Sequence, residues 1–409
     1  MAPTPPTASS PSAIERCAGD PAAFVRDHWA KAPLLRRGAG PGGFDDLLSL
    51  DDVDRILSGT APRVPFFRMV KDGSPLPPSA YTKSGRIGSV PLSDLADPGK
   101  IFGQFADGAT IVLQGLQRFW APLAAFSRDL ERFLTHPVQV NAYLTPPASR
   151  GLGVHHDTHD VFVLQVHGRK RWQVWDAAVP FPLGHQTKLP PGADSPAEAP
   201  LVEAELAPGD CLYVPRGFRH AARTATDASL HLTVGMLTYN WNDLLREVLD
   251  QATEETWFRE GLPVGFAEDP AALEAALGER VAELRRFLDK VDLGRVAERA
   301  VNRFWSNRAP MLQGQLRDLL GLDQLGDDSE VRVRPGATWR LRVKGDRLEL
   351  LLGDRTLAMP VAVEPAVRGL LEAGRGTPAG LAGDLDGPSR LVLVRRLVRE
   401  GLLEPTAVG

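Results

Sequence analysis

Cysteine is nearly absent from this sequence: Cys17 and Cys211 are the only two in 409 residues, far apart and without CxxC spacing. That excludes a disulfide framework and a cysteine-built zinc site, and it suits a reducing compartment. Long apolar runs are missing too; nothing approaches the roughly 18–20 residues that cross a bilayer. The opening MAPTPPTASSPSA has no basic start followed by an apolar stretch. Residues 1–13 therefore read as a disordered tail, and a cytoplasmic location with no membrane partner is expected. An excess of positive charge is also lacking, since the net charge is −4, so nucleic acid is not expected as a partner.

What is present is ample material for burial, 43% apolar and 24% charged, in a chain too long for one ordinary core. Helical spacing comes first. DPAAFVRDHWAKAPLLRRG carries Phe24, His28 and Trp29 on neighbouring turns, SLDDVDRILSG starts at a capping Ser49, and RFWAPLAAFSRDLERFLTHP places Leu123, Phe126, Leu130 and Phe133 at helical intervals. From Val138 to Leu237 the period changes to two, with short strands between Gly and Pro turns. Helices return from Trp241 to about Leu322. The last eighty or so residues begin with strand-like EVRVRPG, WRLRVKG and RLELLLG and then turn helical. The expected division is a tail (1–13), a β-rich part with N-terminal helices (14–240), a helical region (241–327) and a mixed C-terminal part (328–409).

The densest chemistry lies in GVHHDTHDVFVLQVHGRKRW, Gly153 to Trp172, which holds four of the nine histidines. In an extended strand His155 and Asp157 share one face and His156 takes the other. An imidazole and a carboxylate so spaced cover two adjacent positions around a metal. A third ligand would complete the two-histidine, one-carboxylate face of non-haem iron(II) oxygenases. His220 is preferred, because in LAPGDCLYVPRGFRHAA it directly follows a Gly/Pro corner, as a double-stranded β-helix would require; His231 in SLHLTVGML is its rival. Two strands alternate strictly: VQVNAYLT sets Gln139, Asn141, Tyr143 and Thr145 against apolar neighbours, and SLHLTVGM does the same with His231 and Thr233. Their polar faces turn either to water or into a barrel that holds a polar ligand. Lys170 shares its strand face with Trp172 and Val174, and an ammonium directed into such a pocket needs an anionic partner.

With these residues in place the chain resembles the JmjC-type ribosomal oxygenases, cupin-like 2-oxoglutarate hydroxylases. FVRDHWAKAPLL, VQVNAYLTPP, HHDTHDVFVLQVHGRKRW and LAPGDCLYVPRGFRH carry the resemblance. It implies an α+β fold: a double-stranded β-helix (cupin/JmjC barrel) with flanking helices, a helical dimerisation region and a C-terminal winged-helix-like domain. It further implies that His155, Asp157 and His220 are the catalytic metal ligands for Fe(II), and that Lys170 grips the distal carboxylate of the co-substrate 2-oxoglutarate. Asn141 and Tyr143 would line the cofactor pocket, with O2 as the second co-substrate. Some relatives carry serine at the position of Gly235, so a side-chain contact there is lost. His231 would be a pocket or structural residue, and His159 would lie near the substrate path.

The implied activity is hydroxylation of a side-chain carbon of a polypeptide, with a ribosomal protein as the leading candidate and a homodimer as the working state. Two alternatives stand beside it: a hydroxylase of a peptide natural product, and a non-catalytic metal-binding cupin acting as sensor or scaffold. The Pro-rich LPPGADSPAEAP is either a loop shaping the entrance or solvent-exposed slack. The helix in RLVLVRRLVREG has four arginines, but Leu391, Val392, Val394, Leu397 and Val398 give it a broad apolar face, so packing accounts for it better than DNA does.

Overall fold

The computed structural model describes residues 11–38, 43–147, 149, 153–224 and 227–406. The chain forms two compact units, Met1–Thr238 and Tyr239–Gly409. Residues 1–10 of the expected tail lie outside the described residues. Ser12 and Ala13, also assigned to that tail, instead open the first helix, Ala13–Ala18, where Ser12 and Glu15 cap each other and Ala13 and Ile14 are buried.

Ten strands organise the first unit: β1 (Leu34–Arg36), β2 (Phe67–Lys71), β3 (Thr110–Leu113), β4 (Val138–Thr145), β5 (Asp160–His167), β6 (Lys170–Ala177), β7 (Val202–Leu206), β8 (Cys211–Val214), β9 (Phe218–Thr224) and β10 (Ser229–Met236). The larger sheet runs β1-β8-β5-β10-β4-β3-β2, with Ser74–Pro75 at its edge, and the smaller runs β7-β6-β9. Every pairing is antiparallel. A single bridge between His155 and His220 adds the segment before β5 to the free side of β9. From β4 onward the chain thus passes between the two sheets repeatedly, which is the winding of a double-stranded β-helix.

Period-two alternation decides which way each side chain goes. On the larger sheet Val138, Val140, Ala142, Phe162, Leu164, Leu230, Leu232, Val234 and Met236 pack outward against the N-terminal helices, including Phe24, Ile56 and Leu123. The opposite faces of β4 and β10, with Asn141, Tyr143, Thr145, His231 and Thr233, line a cavity between the sheets. The polar faces therefore turn inward. A second apolar cluster of Val161, Val163, Trp172, Val174, Leu206, Leu212, Val214 and Phe218 closes the space between the sheets.

The histidine-rich segment departs from the sequence expectation. Its spacing predicts a strand, but the ladder begins only at Asp160, and residues 153–159 keep one bridge, at His155. The reason is topological: this segment crosses from the smaller sheet to the larger one, and a chain turning through Thr158 and His159 cannot stay paired with both. Asp160, fully buried, fixes the far side of the corner by accepting hydrogen bonds from Tyr213 Oη at 2.7 Å and Thr238 Oγ1 at 3.1 Å.

In the second unit, helices Trp241–Gln251, Pro270–Leu288 and Leu293–Ser306 precede a three-stranded meander, Trp339–Lys344, Arg347–Leu352 and Arg355–Pro360. Helices Glu364–Ala373 and Gly387–Arg399 then pack with it around Val331, Leu348, Leu350, Val367, Val394 and Leu397. The last helix is rotated slightly from the face expected: Leu393 takes a core position and Val392 is 67% exposed. Phe133 likewise stands exposed at the end of helix Ala121–Leu134, where the chain leaves its packing surface.

Candidate active site and metal centre

The His155–His220 bridge sets the geometry of the site. The two residues exchange both backbone hydrogen bonds, at 3.1 and 2.8 Å, so their side chains emerge side by side, with ring centroids 4.3 Å apart. Asp157 follows two residues on, its carbonyl accepting from Gly217 N–H at 2.9 Å. Gly217 is left-handed (φ +85°), and the Val179 carbonyl occupies the place a Cβ would take, so the corner that delivers His220 requires glycine.

His155, Asp157 and His220 each offer a ligand atom, all within 4.8 Å of one another, and His220 Nε2 lies 3.6 Å from Asp157 Oδ2. Both imidazoles place Nδ1 beside the carbonyl two residues upstream, Gly153 O at 2.8 Å and Phe218 O at 3.1 Å. A carbonyl only accepts, so each Nδ1 carries the hydrogen and each Nε2 presents a lone pair to the shared space. Burial, helped by the neighbouring His155, pushes the His220 pKa down to about 4, which keeps that lone pair free near neutrality. For Asp157 burial alone would favour the protonated form, but His220, His159, His155 and His156 outweigh it and hold the carboxyl below its ordinary range.

Behind this triad lies a cavity of about 230 Å³, lined by both sheets. Lys170, buried at its floor, donates from Nζ to Thr145 Oγ1 at 3.2 Å, and Thr110 Oγ1 donates to the same oxygen at 3.3 Å. Asn141 Oδ1 accepts from Gly115 N–H at 3.0 Å, which orients the amide on the cavity wall. Tyr143 stacks on His231 with centroids 5.1 Å apart, and Trp172 meets the same imidazole edge-on at 5.5 Å. Burial, and then the nearby Lys170, hold His231 neutral. His231 thus belongs to the wall and not to the triad. His159 also lines the cavity, its ring lying where a side chain at Gly235 would be.

The donor set of two imidazole nitrogens and one carboxylate oxygen fits iron(II) with coordination positions to spare. The rest of the cavity fits an anion with several acceptor atoms. Lys170 has no carboxylate partner among the described residues, and His231 Nδ1 and Trp172 Nε1 are buried there without a hydrogen-bond partner. Arg68 on β2 lines the same cavity and adds a second cation to its wall. Sequence reasoning missed Arg68: a single arginine in the alternation of FFRMVK carries no motif.

A family profile described as the JmjC domain matches residues 116–244. Residues 116–244 are a JmjC domain. Among curated proteins, the chain is 33% identical over 290 residues to Ribosomal oxygenase 1 of Gallus gallus, covering 66% of this chain and 46% of that protein. It is 30% identical over 255 residues to Bifunctional lysine-specific demethylase and histidyl-hydroxylase NO66 of Drosophila persimilis, covering 61% of this chain and 35% of that protein. The chain thus spans less than half the length of these relatives. Among solved structures, the ribosomal oxygenase YcfD of Escherichia coli with cobalt and 2-oxoglutarate matches at a TM-score of 0.51 and 21% identity, over 94% of this chain and 98% of that one. Another structure of E. coli YcfD reaches 0.54 at 20% identity, over 95% and 99%. The resemblance to JmjC-type ribosomal oxygenases holds, and the matched residues include the triad and Lys170.

Burial of Lys170 yields a pH prediction. Burial pushes its pKa down to about 7 in the folded chain, against the ordinary value near 10.4 when unfolded. Between those values the unfolded chain holds the proton that the folded one has released, so stability rises with pH through this window. Lys170→Met should raise the melting temperature of the metal-free protein at pH 6, by on the order of 5 °C, and by clearly less at pH 9. Equal shifts in scanning calorimetry at the two pH values would show that no buried charge is being relieved.

Proposed function

We propose that the chain is an iron(II)- and 2-oxoglutarate-dependent oxygenase that hydroxylates a side-chain carbon of a polypeptide. The carrying observation is the convergence of His155, Asp157 and His220 at a cavity that also buries the amine of Lys170, which has no carboxylate partner among the described residues. In this reading those three residues hold the metal. Lys170, with Thr145, receives the distal carboxylate of 2-oxoglutarate, and an anion there restores the protonated amine that burial disfavours. Iron(II) with 2-oxoglutarate and dioxygen supplies the oxidising power to convert a C–H bond to an alcohol, the keto acid leaving as succinate and carbon dioxide.

The protein's own part is positioning and exclusion. Asn141 and Tyr143 line the same cavity from the larger sheet, and Val70, Val112, Val161, Val163 and Val214 keep water from the space around the co-substrate. A ribosomal protein is the proposed target, supported by the relatives named ribosomal oxygenases. The cytoplasm is the proposed compartment: both cysteines are unpaired and buried, and no helix among the described residues is long and apolar enough to cross a membrane.

The proposal extends to the second unit. Residues 14–240 form the catalytic part, 241–327 pair two subunits and 328–409 make a winged-helix-like domain. Helix Pro270–Leu288 buries no residue in the single chain although Leu273, Leu277, Val281, Leu284 and Leu288 form a stripe along it. Trp241, Leu316 and Leu320 are 78%, 75% and 79% exposed. Such apolar faces call for a partner, and a second copy satisfies them by symmetry. The arginines of helix Gly387–Arg399 are largely spent internally: Arg390 donates to the carbonyls of Ala379 and Gly383, Arg395 to those of Asp323 and Leu325, and Arg396 pairs with Glu400. That favours contact with protein over DNA.

Three experiments test this reading. With iron(II), the wild type should convert 2-oxoglutarate to succinate; His155→Ala should abolish turnover, and Lys170→Ala should raise the KM for 2-oxoglutarate tenfold or more, as expected on removing a buried charge partner. Intact masses of ribosomal proteins should include one that is an oxygen atom heavier when the gene is present, and an unshifted set contradicts the ribosomal target. Sedimentation equilibrium should give twice the chain mass of 44.4 kDa; a monomer contradicts the pairing role.

A further inference from the structure

The Pro-rich connection between β6 and β7, residues 178–201, is not slack along its whole length. Its C-terminal end is fastened to the smaller sheet: Trp175 Nε1 donates to Glu198 O at 3.1 Å, Leu201 N–H to Val174 O at 2.8 Å, and Arg219 of β9 pairs with the Glu198 carboxylate. Its N-terminal end is fastened to the corner before His220. Ala178 N–H donates to Gly217 O at 3.2 Å, and the Val179 carbonyl and Pro182 fill the space over Gly217. In its middle, Leu183 and Gln186 form a small turn held by Leu183 N–H to Gln186 Oε1 and Gln186 N–H to Leu183 O, both 2.8 Å. That turn presents the Gln186 carbonyl to His156 Nε2 at 2.8 Å.

His156 sits between two of the three candidate ligands, faces away from the cavity and is 4% exposed. The segment that carries His155 and Asp157 has little else to hold it. Among the described residues its backbone makes two hydrogen bonds to His220 and one to Gly217, with no further ladder before Asp160. A segment so lightly paired retains conformational freedom that binding a metal would have to remove. One connection touches both the corner that delivers His220 and the residue between His155 and Asp157, so it couples the two halves of the triad.

We infer that residues 178–201 form a brace for the metal centre and that His156 is a positioning residue, its Nε2–H to Gln186 O hydrogen bond setting the affinity of the triad for a divalent metal. This rests on the proposed metal role of His155, Asp157 and His220. The metal affinity of lightly paired ligands follows the groups that orient them, and loss of such a group typically weakens binding by about 10–100-fold.

The test uses the full-length chain and cobalt(II) alone, titrated calorimetrically without keto acid or peptide, so that affinity is read apart from turnover. The wild type binds one cobalt(II) per chain. His156→Phe, which keeps a ring but cannot donate, weakens binding at least about tenfold, while the melting temperature of the metal-free protein changes little. His156→Gln, which restores an N–H donor, returns affinity towards the wild-type value. Unchanged affinity in His156→Phe overturns the brace while leaving the metal reading intact. So does a loss of affinity that merely follows a collapse in metal-free stability and is not rescued by His156→Gln. A wild type that binds no cobalt(II) overturns both.

Discussion

The site depends on one antiparallel residue pair. Because His155 and His220 exchange both backbone hydrogen bonds, two imidazoles from segments 65 positions apart in the numbering are forced to leave the backbone side by side. Their Nδ1 hydrogens are taken by local carbonyls, so the Nε2 lone pairs have a common direction to face. Everything else in the centre is arranged around that pair. Asp157 adds a carboxylate from the same segment, and burial keeps His220 neutral so that its lone pair is not lost to a proton.

The surrounding barrel solves an electrostatic problem in reverse. Burying an ammonium without a counter-charge is costly, yet Lys170 lies at the cavity floor with a threonine hydroxyl as its partner. The fold tolerates this because the two sheets supply a large apolar core on either side of the cavity, the outer one shared with the N-terminal helices. Stability held in those layers permits a site that is poised for an anion. The same division explains the polar alternation of β4 and β10: their apolar residues hold the sheet to the helices, and their polar residues furnish the cavity.

Much of this was legible from local pattern. The His-x-Asp spacing, the Gly/Pro corner before His220 and the position of Lys170 in its hairpin are short-range features, and period-two alternation separates the core face of β4 from its cavity face. What escaped was long-range. Arg68 reaches the cavity from a strand about seventy residues before β4 and carries no motif; the burial of Asp160 against Tyr213 and Thr238 depends on how three segments meet. The histidine-rich segment looked like a strand because its composition suits one, but the passage from one sheet to the other breaks its pairing. His159 over Gly235 is the same kind of case, since the missing side chain at one position makes room for a ring from another. The exchange of Val392 for Leu393 in the C-terminal core is smaller: several adjacent apolar residues leave the rotation of a helix undetermined until its neighbours are placed.

Anomalous diffraction from crystals of the full-length chain grown with cobalt(II) addresses the central claim most directly. The account predicts one ion per chain bound by Nε2 of His155, Nε2 of His220 and a carboxylate oxygen of Asp157, each at about 2.1 Å, with the remaining positions open toward Lys170. An ion held by His231, or one bound through Nδ1 of either triad histidine, would contradict it.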